Sequence, residues 1–192
     1  MKFWQVIRKN WVTLLFLAAA ITMVASPTAK AWVLQQFMKT GLFNASIEQT
    51  TTAPTPVADF DFTDEQGNVI NTASLRGKVV FINFWASWCP PCRAEFPSML
   101  ALYNQFKNEP GVYFLMFNLD NNIAAAKGFL QKEQYDLPIF RTYGAIPPNV
   151  YNGSLPTTVV LDKKGMLKFH HTGFANYDGK NFQQQLANLI QE

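Results

Sequence analysis

Residues 79–86, Val-Val-Phe-Ile-Asn-Phe-Trp-Ala, form an almost unbroken apolar run that leads into Cys89-Pro90-Pro91-Cys92. A short run of this kind, rich in β-branched and aromatic residues, reads as a strand buried on both faces of a sheet. Pro91 is compatible with a helix only in its first turn, where its missing N–H has no partner to lose, so a helix should start at about Cys89. A buried strand that feeds directly into a helix is the repeating unit of an α/β sheet. Cys89 and Cys92 are the only cysteines in the chain, and their spacing lets them close a disulfide with each other. A structural zinc site of the usual kind needs four ligands, and one CxxC without a second pair does not supply them. The pair therefore reads as a redox-active dithiol, with no metal and no separate cofactor.

The rest of the pattern supports one mixed sheet. Asp59–Thr63 and Val69–Asn71 flank Gly67-Asn68 as a small hairpin. Residues 112–118 read as a second buried strand, 124–134 as a helix, and 137–140 as a short strand. Residues 157–161 and 166–172 read as a hairpin around Lys163-Lys164-Gly165, and 182–190 as a closing amphipathic helix. Pro97 should kink the first helix. The expected architecture is an α/β domain at 57–192 with a four- to five-stranded mixed sheet flanked by helices.

The N-terminus is different. Residues 1–30 hold four basic and no acidic side chains, while residues 31–192 hold twelve basic and thirteen acidic ones. The formal charge of +3 therefore belongs to the N-terminal segment, and no basic patch calls for nucleic acid. Trp11–Ala25 carries no charge and is followed by Ala29-Lys30-Ala31, a small-x-small pattern. Residues 1–31 read either as a cleaved signal peptide or as an uncleaved signal anchor. In both cases the basic flank stays in the cytoplasm and the remainder is exported. Residues 32–56 form a juxtamembrane segment and linker. Its first part, Trp32 to Phe43, reads as an interfacial helix on a membrane or as a helix docked on the domain. Its second part, Asn44–Pro56, is Thr-, Ala- and Pro-rich and reads as a linker.

Phe84-Trp85-Ala86-Ser87-Trp88-Cys89-Pro90-Pro91-Cys92-Arg93-Ala94-Glu95-Phe96-Pro97 resembles the active-site signature of the TlpA/ResA-type membrane-tethered thiol–disulfide oxidoreductases of the thioredoxin superfamily. Leu155-Pro156-Thr157-Thr158-Val159-Val160-Leu161-Asp162 is similar to that family's cis-proline strand, and Leu75-Arg76-Gly77-Lys78 also fits. The resemblance covers about residues 57–190 and implies a thioredoxin-like fold with an N-terminal hairpin extension. It also implies an enzyme at the extracytoplasmic face of the inner membrane, periplasmic if the signal is cleaved. Such an enzyme reduces disulfides in exported proteins such as apocytochrome c and draws electrons from a membrane thiol donor of the CcdA/DsbD type.

Within this frame Cys89 is the expected nucleophile, because a helix N-terminus lowers a thiol's pKa, and Cys92 is the resolving thiol. Pro90 and Pro91 bring no charge and no donor that would stabilise the reduced pair, which favours a reducing protein. Glu95, one turn beyond Cys92, is either a proton acceptor that modulates the cysteines, as the resemblance implies, or a solvated acid at a helix start. Asn83 stands where thioredoxin carries a buried aspartate, so a proton-accepting role is excluded there. Pro156 is the expected cis proline, which would present the backbone of Leu155 to a substrate strand. Trp88, Pro90 and Leu155 complete the expected substrate contact, and Trp85 and Trp88 should form apolar cover over the disulfide. Two other functions use the same fold. Copper delivery would recruit a histidine, but His170 and His171 alternate faces on one strand. A thiol peroxidase of the peroxiredoxin kind has Thr or Ser three residues before its cysteine, where this chain has Ala86.

Overall fold

The computed structural model describes residues 2–38, 40–47 and 55–192, with side chains described from Asn10 onward. Two helices open the chain, α1 (Lys2–Ala25) and α2 (Pro27–Met38). The domain follows with β1 (Thr55–Pro56), β2 (Asp61–Thr63), β3 (Val69–Asn71), β4 (Val79–Trp85), α3 (Pro90–Phe106), β5 (Val112–Asn118) and α4 (Ile123–Glu133). It closes with β6 (Arg141–Tyr143), β7 (Thr157–Leu161), β8 (Met166–Thr172) and α5 (Lys180–Gln191).

Five strands form the main sheet in the order β1-β8-β7-β4-β5. β4 runs parallel to β5, with Val79 opposite Val112, and antiparallel to β7, with Asn83 opposite Thr158. All seven residues of β4 are buried, as a central strand covered on both faces requires. Alternation along β4 sorts its side chains between two cores. Val79, Phe81 and Trp85 join residues of α3, α4 and α5, while Val80, Ile82 and Phe84 join Phe62, Phe140 and Val150.

The expected mixed sheet flanked by helices is what the structure shows, with its helices packed on the first core. Among the described residues no α-helix contributes to the second core. It is closed by a three-stranded sheet, β3-β2-β6. The hairpin of β2 and β3 supplies two strands, and β6 pairs with β2 with Thr142 opposite Phe62. The short strand expected at 137–140 lies at 141–143 instead, with Phe140 bridging to Phe117. β6 is an edge strand of this sheet and none of its residues is buried, so Arg141, Thr142 and Tyr143 pair without an apolar signature.

The segment ahead of the domain is also more ordered than a linker. Asn44 bridges to Asn176, and Ala45 and Ile47 are buried in the α5-side core. Gln185 of α5 accepts the Ile47 N–H at 2.7 Å. Residues 48–54, the remainder of the expected linker apart from Thr55–Pro56, lie outside the described residues.

α2 runs through Ala29 and Ala31, so the expected boundary at residue 31 falls inside a helix. Its inner residues Ala31 and Met38 are buried against Ala94 of α3, with Leu34 and Phe174 packed alongside. Of the two readings for this segment, docking on the domain is the one the structure shows. No single helix among the described residues is long and apolar enough to cross a membrane. The pair Asn10–Ala25 and Pro27–Met38, bent by 93°, meets that requirement of length and composition together.

Candidate active site

β4 ends at Trp85, and the chain then turns through residues 86–88 into α3. Asp120, 2% exposed beyond the end of β5, fixes this turn. Its carboxylate accepts the Ser87 N–H at 3.1 and 3.2 Å and the Asn118 side-chain amide at 3.0 Å. Cys89 is the N-cap of α3, and its Sγ accepts the Cys92 N–H at 3.2 Å. A thiolate here would take up one of the N–H groups that a helix leaves unpaired at its start, at the positive end of the helix dipole. Cys89 and Cys92 are joined in a disulfide of 2.07 Å, and the two residues are 3% and 0% exposed.

Trp85 and Trp88 part company. Trp85 is fully buried below the turn, edge-on to Phe96 at 4.7 Å. Trp88, expected as cover over the disulfide, instead stands 61% exposed beside Cys89. Pro90 is half-buried on the first turn. The Leu155–Pro156 peptide is cis, as expected, and immediately precedes β7. Leu155 is itself half-buried and packs against both cores.

Glu95 is fully buried, which excludes the reading of a solvated helix-start acid. Its Oε1 accepts from Asn83 Nδ2 at 2.8 Å, and its Oε2 meets the Ala175 N–H at a long 3.4 Å. Burial outweighs these two contacts and pushes the carboxyl up from 4.5 to about 8. The neutral acid is the favoured form near pH 7. Asn83 Nδ2 also donates to Thr158 Oγ1 at 2.8 Å, and the same oxygen accepts from the Tyr177 hydroxyl at 2.7 Å. Tyr177 is fully buried, and burial first and the neighbouring Glu95 second push its phenol upward. Glu95, Asn83, Thr158 and Tyr177 thus form one buried polar network beginning one helical turn past Cys92. Asn83 Oδ1 and Trp85 Nε1 have no hydrogen-bond partner among the described residues.

The sequence singled out Cys89, Cys92, Glu95 and Pro156 as candidates and left Asp120, Thr158 and Tyr177 unmarked. A buried threonine on an apolar strand, or a buried tyrosine in a polar connection, carries no sequence signal of its own. Only Asp120, an isolated acid directly after an apolar strand, left a trace. His170 and His171 lie opposite Val159 and Thr158 on β8, and among the described residues no cluster of three or more His, Cys, Asp or Glu could hold a metal.

A mixed sheet, a dithiol capping the helix after a central strand and a cis proline starting the antiparallel neighbour together define a thioredoxin-fold protein with a CxxC redox centre. The Redoxin family model matches residues 50–186, and the chain belongs to that family. It is 38% identical over 117 residues to the thiol-disulfide oxidoreductase ResA of Bacillus thuringiensis subsp. konkukian, covering 56% of this chain and 62% of the relative. It is 38% identical over 124 residues to ResA of Geobacillus kaustophilus, covering 64% and 68% of the two chains. The chain thus spans about 62% of the length of the first of these curated relatives. A crystal structure from Chlorobium tepidum, assigned as the thiol:disulfide interchange protein DsbE, superposes with a TM-score of 0.60 at 28% identity. It covers 72% of this chain and 98% of its own.

Proposed function

We propose that this protein is a thiol–disulfide oxidoreductase that reduces disulfides in exported proteins, apocytochrome c among them. It acts from the extracytoplasmic face of the cytoplasmic membrane, where α1 tethers it. The observation that carries this reading is the Cys89 sulfur capping α3, with the Cys92 N–H aimed at the atom that must carry charge once the disulfide is reduced. In the reduced protein the Cys89 thiolate attacks one sulfur of a substrate disulfide, forming a mixed disulfide and releasing the other substrate sulfur as a thiolate. Cys92 then loses its proton and attacks Cys89 Sγ. The second substrate thiol leaves, and the Cys89–Cys92 disulfide closes. Two electrons pass from the dithiol to the substrate.

A buried carboxyl with a pKa near that of a thiol is suited to take and return the Cys92 proton. Exposed Trp88, with Pro90 and the backbone of Leu155 at the cis Pro156, supplies the surface for an extended substrate segment. Because exported compartments keep disulfides oxidised, the dithiol needs a supplied reductant, a membrane thiol donor of the CcdA/DsbD type. The test is Cys92→Ser in the native host. Cys89 should accumulate mixed disulfides with exported proteins, which mass spectrometry identifies, and Cys89→Ser should accumulate none. Equal trapping by both variants, or by neither, refutes the mechanism.

A further inference from the structure

The short helix α2 has two faces with different occupants. The inner face is tied to the first turn of the redox helix. Ala31 and Met38 bury against Ala94, Gln35 Nε2 donates to the Arg93 carbonyl at 3.4 Å, and Arg93 Nη2 donates to Thr28 Oγ1 at 2.9 Å. Arg93 and Ala94 directly follow Cys92. The Arg93 guanidinium also lies 4.7 Å from the Phe129 ring centre and 3.6 Å from Glu133 Oε1 on α4, so one side chain joins three helices.

The outer face is apolar and open. Trp32 is 61% exposed, Phe37 54%, and Leu42 just beyond the helix 81%. This surface continues at the bend into α1, whose uncharged Trp11–Ala25 stretch is exposed throughout. The 93° bend also separates two membrane arrangements. α2 cannot lie in the hydrocarbon as the second limb of a broken span, because its inner face is buried on a folded domain. That leaves α1 to enter the bilayer, its Asn10–Ala25 limb rising about 24 Å at about 1.5 Å per residue, which is short of a hydrocarbon core of about 30 Å by itself. A right-angled turn from such a helix lays α2 in the plane of the membrane surface.

We infer that the outer face of α2, with Trp32 and Phe37 on its two flanks and Leu42 at its edge, rests in the lipid headgroup region. The Cys89–Cys92 end of α3 is thereby held in one fixed pose above the bilayer. This rests on the membrane-tethered reading above. Exposed aromatic rings with a basic residue on the same face, here Lys30 on the flank that carries Phe37, are the composition favoured at that depth. The occupant is a lipid surface, and α2 is the rigid spacer between lipid and redox centre.

The full chain, carrying Trp4→Phe and Trp11→Phe, is reconstituted into vesicles of phosphatidylcholine and phosphatidylglycerol in equal amounts. The phosphatidylcholine is brominated either near the headgroup or near the chain ends. Tryptophan emission should be quenched by the shallow bromines more than by the deep ones. Adding Trp32→Phe should remove most of that shallow quenching. If the protein floats with the vesicles but quenching is absent, or persists without Trp32, then α2 faces water or a protein partner and the inference is overturned. If the protein does not float, the tether and the inference fall together. Insulin reduction driven by dithiothreitol, run on the same samples, reads the dithiol chemistry separately and confirms that each variant is folded.

Discussion

Glu95 makes a prediction that stability measurements can test without any substrate. In the unfolded chain its carboxyl titrates near the ordinary 4.5, whereas in the folded protein burial holds the proton to about 8. Between those values the unfolded chain has released a proton that the native state retains. Native stability therefore falls by about 1.4 kcal/mol per pH unit. The contribution is fully present below about pH 4.5 and is lost as pH rises through about 8, a change of about 5 kcal/mol in all. Glu95→Gln abolishes this dependence. The glutamine keeps an oxygen for Asn83 Nδ2 and loses the long contact with the Ala175 N–H, at a cost of about 1 kcal/mol. The variant should match wild type near pH 5 and exceed it by about 3 kcal/mol at pH 8. Guanidinium unfolding of the oxidised proteins from pH 5 to 8 is the assay, because the disulfide keeps the cysteines from titrating. His170 and His171 are common to both proteins and cancel in the difference. Parallel stability profiles for wild type and Glu95→Gln would refute the reasoning.

Three further changes probe the scaffold. Phe96→Ala empties the centre of an aromatic cluster that includes Trp85, Phe129 and Tyr135. It should cost about 3–5 kcal/mol, seen as a lower urea midpoint with an unchanged slope. Arg93→Ala removes the link between Thr28, Phe129 and Glu133. It should leave the domain folded but speed limited proteolysis between residues 27 and 47, and unchanged cleavage would show that the link does not hold α2. Gln185→Ala strands the buried Ile47 N–H. A loss of about 1–3 kcal/mol and faster hydrogen exchange at Ile47 are expected, and an unaltered exchange rate would count against it.

β4, β5 and β7 could be read from the sequence because a strand buried on both faces must be apolar at nearly every position. The turn into α3 was legible because Pro91 leaves few alternatives. β6 was misplaced by four residues, since a polar edge strand pairs through its backbone and needs no apolar pattern. α2 was ambiguous for the opposite reason. Its inner face meets α3 and its outer face is also apolar, so no polar stripe marks an orientation. Asn44–Ile47 looked like a linker because its order depends on Gln185, distant in the chain. The buried network escaped similarly: Asn83 and Thr158 are 75 residues apart, and only the antiparallel register of β4 and β7 brings them together.

Asn83 spends both of its amide hydrogens, one on Glu95 and one on Thr158. An aspartate there would offer neither and would set a second carboxyl against the first. Two acids at hydrogen-bonding distance in a dry interior cannot both ionise. The protein core therefore has room for one titrating acid beneath its disulfide, on the strand at position 83 or on the helix at position 95. Across homologous chains the two sites should covary, an acid at one accompanied by a neutral residue at the other. Thioredoxin, with its aspartate on the strand, and this chain, with its glutamate on the helix, are two solutions to the same constraint.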